Sequence, residues 1–216
     1  NASKTALVVF RQRNQNRDPF RIELAGEEIE ETTEEKLLGV YIQSDLKWTR
    51  HIEKITSETN YSLSILTRLK NHLDRKELRT IADGLVMSKI RYCLPTFAAE
   101  SIRFIDTDPK NAEITRIQCA QNDMLRILNN KRRRDHVRVE DMLASSNFLS
   151  INQLTAYGLL VEIWKARTFN VPFLCNLLER ERNDNRTLRS DTAGRVAATG
   201  LDIVALKCEK LWNMAS

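Results

Sequence analysis

Leu37-Leu38-Gly39-Val40-Tyr41-Ile42, followed by Asp45-Leu46-Lys47-Trp48 and then His51-Ile52, is where the periodicity of this chain changes. From Ile52 onward the apolar positions fall at three- and four-residue steps: Ile52, Ile55, Thr59, Leu63, Leu66, Leu69 and Leu73. That spacing predicts a long amphipathic helix over about 50–72. Upstream the pattern is that of strands. Ala6 to Phe10 is a short apolar run, Phe20 to Leu24 alternates, and Leu37 to Ile42 is a second apolar run. Turn-rich polar segments, Asn14 to Pro19 and Ala25-Gly26, separate them, so a three-strand antiparallel meander is predicted. Gly39 inside a strand predicts a bulge or the close approach of another backbone.

Downstream, helix signals succeed one another. Asp74 stands three residues before Glu77, a capping-box spacing, ahead of Leu78, Ile81, Leu85 and Ile90; this helix ends before Leu94-Pro95. Asp108-Pro109 reads as a cap with proline at the first helical position, leading Ile114, Ile117, Met124, Leu125 and Leu128. A short helix is predicted over Val139 to Leu143. Ser150 with Gln153 caps another, which bears Ile151, Leu154, Tyr157, Val161 and Trp164. Pro172 opens one more through Leu178, residues 182–199 read as a polar loop, and 201–213 as a final helix with Trp212. No repeat of 20–50 residues is present, which excludes a solenoid. The fold class expected is mainly α (α+β): a small N-terminal antiparallel β-meander feeding a helical bundle. It divides into 1–47, 48–130 and 131–216.

In 216 residues, 42% hydrophobic and 29% charged, there is enough apolar material for a core, so disorder throughout is excluded. Six glycines and four prolines are too few for a loop-rich β-sandwich. The chain begins at Asn1 and not at Met, so a piece of a longer protein is expected. Cys93, Cys119, Cys175 and Cys208 form no C-x-x-C pair, and with three scattered histidines neither a zinc finger nor a disulfide framework fits. Reduced core thiols in an intracellular protein are expected. The longest apolar runs fall well short of a membrane span.

Thirty-four Lys and Arg against twenty-nine Asp and Glu give +5, a lean toward polyanionic partners. The charge is uneven. Glu23, Glu27, Glu28, Glu30, Glu31, Glu34 and Glu35 crowd one stretch, Lys131-Arg132-Arg133-Arg134 follows a helix end, and Lys4, Arg11, Arg13 and Arg17 precede the first acid.

Catalytic signatures are weak. The glycines are too dispersed for a phosphate loop. His51, His72 and His136 sit beside no marked nucleophile and read as structural or solvent groups. Asp106-x-Asp108 is the only Asp-x-Asp, and Asp108 reads as a cap, so no metal ligand is assigned. The run 131–134 can hold phosphates by releasing counterions, or it is a solvated turn whose cations suit a helix C-terminus. Trp48, Trp164 and Trp212 each fall beside an apolar helical position and read as core anchors.

The order of segments resembles the region after the catalytic palm motif of non-LTR (LINE-type) retrotransposon reverse transcriptases. Asn1-Ala2-Ser3-Lys4-Thr5 with Leu7-Val8-Val9-Phe10 is similar to that family's N-x-S-K-T…F segment. Leu37 to Ile42 with Asp45-Leu46-Lys47-Trp48 and His51-Ile52 resembles its Y-L-G-V-x-I-D…L-x-W…H-I block. Ile90-Arg91-Tyr92-Cys93-Leu94-Pro95 is similar to its l-x-Y-x-x-P-x-W segment, with Phe97 where Trp is usual. Gln118 and Arg126, Asn147 to Ile151, Lys165, Pro172, Leu188-Arg189-Ser190 and Leu211-Trp212-Asn213 continue the likeness in order.

The resemblance implies an end of palm, a thumb and following helices. Lys4 would lie near the phosphates of the incoming nucleotide. Leu38, Gly39 and Val40 would be the primer grip, whose backbone presses on the primer end. Lys47 and Arg132, Arg133 and Arg134 would contact nucleic acid, and the partner would be an RNA–DNA duplex. The Tyr-x-Asp-Asp turn of the family does not occur in this sequence, so the chain would not polymerise by itself. It would hold no cofactor, whereas the parent polymerase would use Mg²⁺ and act in the nucleus. The other reading is a domesticated or remnant helical protein-interaction module with no nucleic-acid role, docking through the acidic 23–35 stretch and exposed apolar faces.

Overall fold

Two Xaa-Gly turns organise the N-terminal part of the chain. The computed structural model describes residues 4–10, 18–103 and 111–172. Strand β2 (Arg21–Leu24) pairs antiparallel with β3 (Glu27–Thr32), placing Ile22 opposite Ile29 and Leu24 opposite Glu27. Ala25 and Gly26 between them both have positive φ, 53° and 82°. Strand β4 (Glu34–Leu37) pairs antiparallel with β5 (Val40–Gln43), Leu37 opposite Val40, around Leu38 and Gly39 at φ 48° and 89°. Positive φ at both central residues is the type I′ signature, whose twist suits a two-residue hairpin. Strand β1 (Leu7–Val8) lies parallel to β3, Leu7 beside Glu31.

A small N-terminal sheet region followed by a helical bundle is therefore what the chain forms. The strand details differ from the three-strand antiparallel meander. The described residues hold five strands in two sheets, ordered β1-β3-β2 and β4-β5, with one parallel pairing. The glutamate-rich β3 and β4 were invisible because glutamate is a poor strand former. Arg21 offsets the repulsion within β3 and across to β2, meeting Glu28 at 3.3 Å and Glu30 at 2.5 Å. Gly39 sits in a turn and not in a strand.

Helix α1 (Thr49–Leu69) buries Ile52, Ile55, Leu63 and Leu66, the stripe its periodicity predicts. Helix α2 (Arg75–Ala82) starts on a complete capping box, Asp74 with Glu77. It continues through a π-helical turn, Asp83–Met87, into α3 (Ser88–Arg91). Cys93 at φ 54° then breaks the direction, and α4 (Leu94–Ala98) follows. Helix α5 (Ala112–Leu128) is capped by Asn111, whose side chain accepts from the Glu113 and Ile114 amides. Asn111 thus takes the role predicted for Asp108, which lies outside the described residues. Helices α6 (Val139–Ser146) and α7 (Ile151–Thr168) follow, α7 on the Ser150–Gln153 capping box. The predicted helices after Pro172 and over 201–213, with Trp212, also lie outside the described residues.

One core runs from α1 to the start of α7. Leu66, Val86, Met87, Ile90, Met124 and Leu125 are fully enclosed in it, and Met142 and Ile151 join it from the later helices. No helix among the described residues is long and apolar enough to cross a membrane.

Two placements correct the sequence reading. Trp164 is 53% exposed, so of the two tryptophans among the described residues Trp48 alone packs against the core. Cys119 is exposed and Cys93 half-buried, so these two are not core thiols; Cys175 and Cys208 lie outside the described residues.

Candidate nucleic-acid interface

The β4–β5 hairpin rests on the helical body with one side chain of its turn left outside. Leu38 is 82% exposed, while the next strand residue, Val40, is buried. Leucine in the left-handed region is crowded by its own Cβ, a strain of about 1–2 kcal/mol. Tyr92, placed by the chain break at Cys93, reaches across 54 residues and donates its hydroxyl to the Leu38 carbonyl at 2.5 Å. Its ring edge lies 3.5 Å from where a Cβ on Gly39 would stand, so glycine lets the turn rest on that ring.

A second tie lies lower on the hairpin. The Tyr41 amide donates to His51 Nδ1 at 3.5 Å, and the His51 ring meets Phe97 edge-on at 5.0 Å. Accepting at Nδ1 puts the proton of the neutral ring on Nε2, which is buried and unpartnered. Burial, helped by Lys54 and opposed by Glu58, holds the His51 pKa below its ordinary value. The Tyr41 ring carries Lys54 at 5.0 Å and Arg50 at 5.8 Å, and Arg50 also meets Glu34 at 3.4 Å.

The other predicted contacts fall elsewhere. Lys4 is exposed, just before β1. Lys47 is exposed beside the hairpin and pairs with Asp45 at 3.2 Å. The basic run is exposed where the chain turns back at the end of α5. Asn130 at φ 49° lets the Lys131 amide reach the Arg126 carbonyl at 2.8 Å, and its own amide reaches Ile127 at 3.2 Å, the paired bonds of a Schellman ending. Arg133 then binds Asp123 through two nitrogens, at 2.7 and 3.3 Å, and Arg126 shares the same carboxylate at 2.9 Å. That hydrogen bond with Asp123 raises the pKa of Arg133. Arg132 and Arg134 are exposed and have no ion pair among the described residues.

Helices α1 and α5 run side by side in the same direction. Thr49 at the start of α1 bonds Glu113 at the start of α5, and Arg75 beyond α1 bonds Asn129 at the end of α5, at 2.8 Å. The hairpin and the basic run thus occupy opposite ends of the bundle, separated by the 17 residues of α5. That length is about 25 Å.

Sequence reasoning missed Tyr92 as a support of the hairpin because its partner is 54 residues away, and His51 because its partner, ten residues back, lies across the change from strand to helix, where no periodicity links them. The aromatic seat of Arg50 and Lys54 was missed for the same reason. Gln118 and Arg126, quoted for the family likeness, have structural partners: Gln118 accepts from the Ile151 amide at 3.0 Å, and Arg126 meets Asp123. Among the described residues no cluster of three or more His, Cys, Asp or Glu is placed to hold a metal ion. No protein-family model, curated protein or solved structure matches this chain.

Proposed function

We propose that this chain is the end-of-palm, thumb and following-helix part of a LINE-type reverse transcriptase, gripping the primer and the RNA–DNA duplex without polymerising by itself. The observation that carries the reading is the Leu38–Gly39 tip, an exposed and conformationally strained turn braced from behind by Tyr92. Strained backbone held by its surroundings is a feature of functional sites. A turn that presents the Leu38 side chain to solvent while Tyr92 holds its carbonyl suits contact with a primer end. Arg132 and Arg134, beyond the far end of α5, would meet phosphates further along the same duplex. The Mg²⁺ ions of the parent polymerase would be held by carboxylates outside this sequence.

A second reading is favoured by one observation. Trp164 and Phe169, 53% and 69% exposed, face each other at 6.3 Å on the outer side of α7 and suit protein docking. Salt separates the two. Phosphate binding weakens steeply between low and high salt, whereas apolar docking does not. The test is anisotropy of a labelled RNA–DNA hybrid with a recessed primer 3′ end, titrated with the 216-residue protein at several salt concentrations. Sequencing the transcript 5′ of the Asn1 codon gives an independent check, with an in-frame Tyr-x-Asp-Asp expected a few tens of codons upstream.

A further inference from the structure

We propose that Tyr92 is a positioning residue that sets where the 38–39 tip stands, with His51 as the second fastening of the same hairpin; its consequence for a primer end rests on the function proposed above. The hairpin belongs to a two-stranded sheet with no third strand among the described residues. Isolated two-stranded hairpins are marginal in water, so its position depends on what fastens it to the body. Val40, which pairs with Leu37 beside the turn, is buried, and the Tyr41–His51 bond follows one residue on. At the exposed tip the Tyr92 hydroxyl on the Leu38 carbonyl is the side-chain hydrogen bond, and the ring against Gly39 is the packing surface.

The attachment is directional. Tyr92 follows α3, whose Ile90 is fully enclosed, and precedes Cys93, whose left-handed backbone turns the chain into α4. Lys89 anchors α3 to α1 through Ser62 Oγ at 2.8 Å and the Glu58 carbonyl at 3.2 Å. The phenol is thus mounted on a fixed part of the core, and the tip takes its position from it. Without the hydroxyl the tip keeps its turn geometry, the buried Val40 and the ring against Gly39, but loses the hydrogen bond that fixes the Leu38 carbonyl to the body.

The variant Tyr92→Phe removes one oxygen from a half-exposed ring and leaves the core intact, so its melting temperature should stay within about 2 °C of the parent. Hydrogen exchange on the full chain decides the latch. The amide of Val40, which pairs with Leu37 across the turn, should exchange about two- to tenfold faster in Y92F, the range that loss of one ordinary hydrogen bond gives, while those of α1 keep their rates. His51→Asn, which preserves an acceptor near the Nδ1 position, should restore slow exchange at Tyr41 relative to His51→Ala. Unchanged exchange at Val40 in Y92F overturns the proposal.

Duplex binding decides the reading beneath it. Y92F should lose about two- to tenfold in preference for a recessed over a flush-ended hybrid, with the salt slope unchanged because no phosphate contact is removed. A wild-type protein that binds no hybrid overturns the proposed function, and the exchange rates still judge the latch. Faster exchange with an unaltered preference overturns the link from tip position to primer end.

Discussion

Leu38 occupies a backbone region that asparagine and glycine fill with less strain, and does so at an exposed turn where nothing in the core requires leucine. Leu38→Asn should therefore stabilise the chain by up to about 1 kcal/mol in urea denaturation, while weakening hybrid binding if the side chain meets the primer end. His51 gives a pH prediction. Its folded-state pKa lies below the ordinary 6.5, so the unfolded chain binds the extra proton first as pH falls. Its contribution to stability is complete above about 6.5 and is lost as pH drops below that toward the lowered folded-state value. The melting temperature should fall through that window, and His51→Asn should flatten the fall. Of these residues the sequence marked Gly39, but for a strand bulge or the approach of another backbone, whereas it lies in a turn against a side chain. The group that approaches, Tyr92, stands 53 residues away, and no periodicity reports a contact of that range.

Helix boundaries were more legible than strands. Asp74 with Glu77 and Ser150 with Gln153 are local spacings, and both form complete capping boxes. Asp74→Ala should cost about 1 kcal/mol of stability in thermal or urea unfolding. Helix ends carried a signal that went unread. With glycine scarce, asparagine takes the left-handed position: Asn130, Asn147 and Asn170 have φ of 49°, 53° and 46°, and each follows the last turn of a helix. The π-helical turn over Asp83–Met87 has no signature, because its periodicity is close to that of the flanking helix. Helix α7 crosses α4 where a Cβ on Gly158 would stand 2.5 Å from the Pro95 ring. Gly158→Ala should push the two helices apart and destabilise by about 1–3 kcal/mol, measured as a drop in the urea midpoint with little change in slope.

Across the whole molecule, composition and periodicity foretold a small sheet region before a helical bundle, since both depend on local pattern. They did not foretell that α1 and α5 run in the same direction, which sets the hairpin and the basic run at opposite ends. Nor did a count of arginines show that Arg133 is committed to Asp123 while Arg132 and Arg134 point to solvent. This division is testable. Replacing Arg132 and Arg134 together should reduce the salt slope of hybrid binding by up to about 2, whereas replacing Arg133 should change it less. The most direct test of the duplex-gripping account is the salt dependence of wild-type binding to an RNA–DNA hybrid with a recessed primer end. The account predicts that log K falls linearly with log salt, with a slope magnitude of about 2 or more that shrinks in the Arg132, Arg134 double variant. A slope near zero, or no binding at low salt, would contradict it.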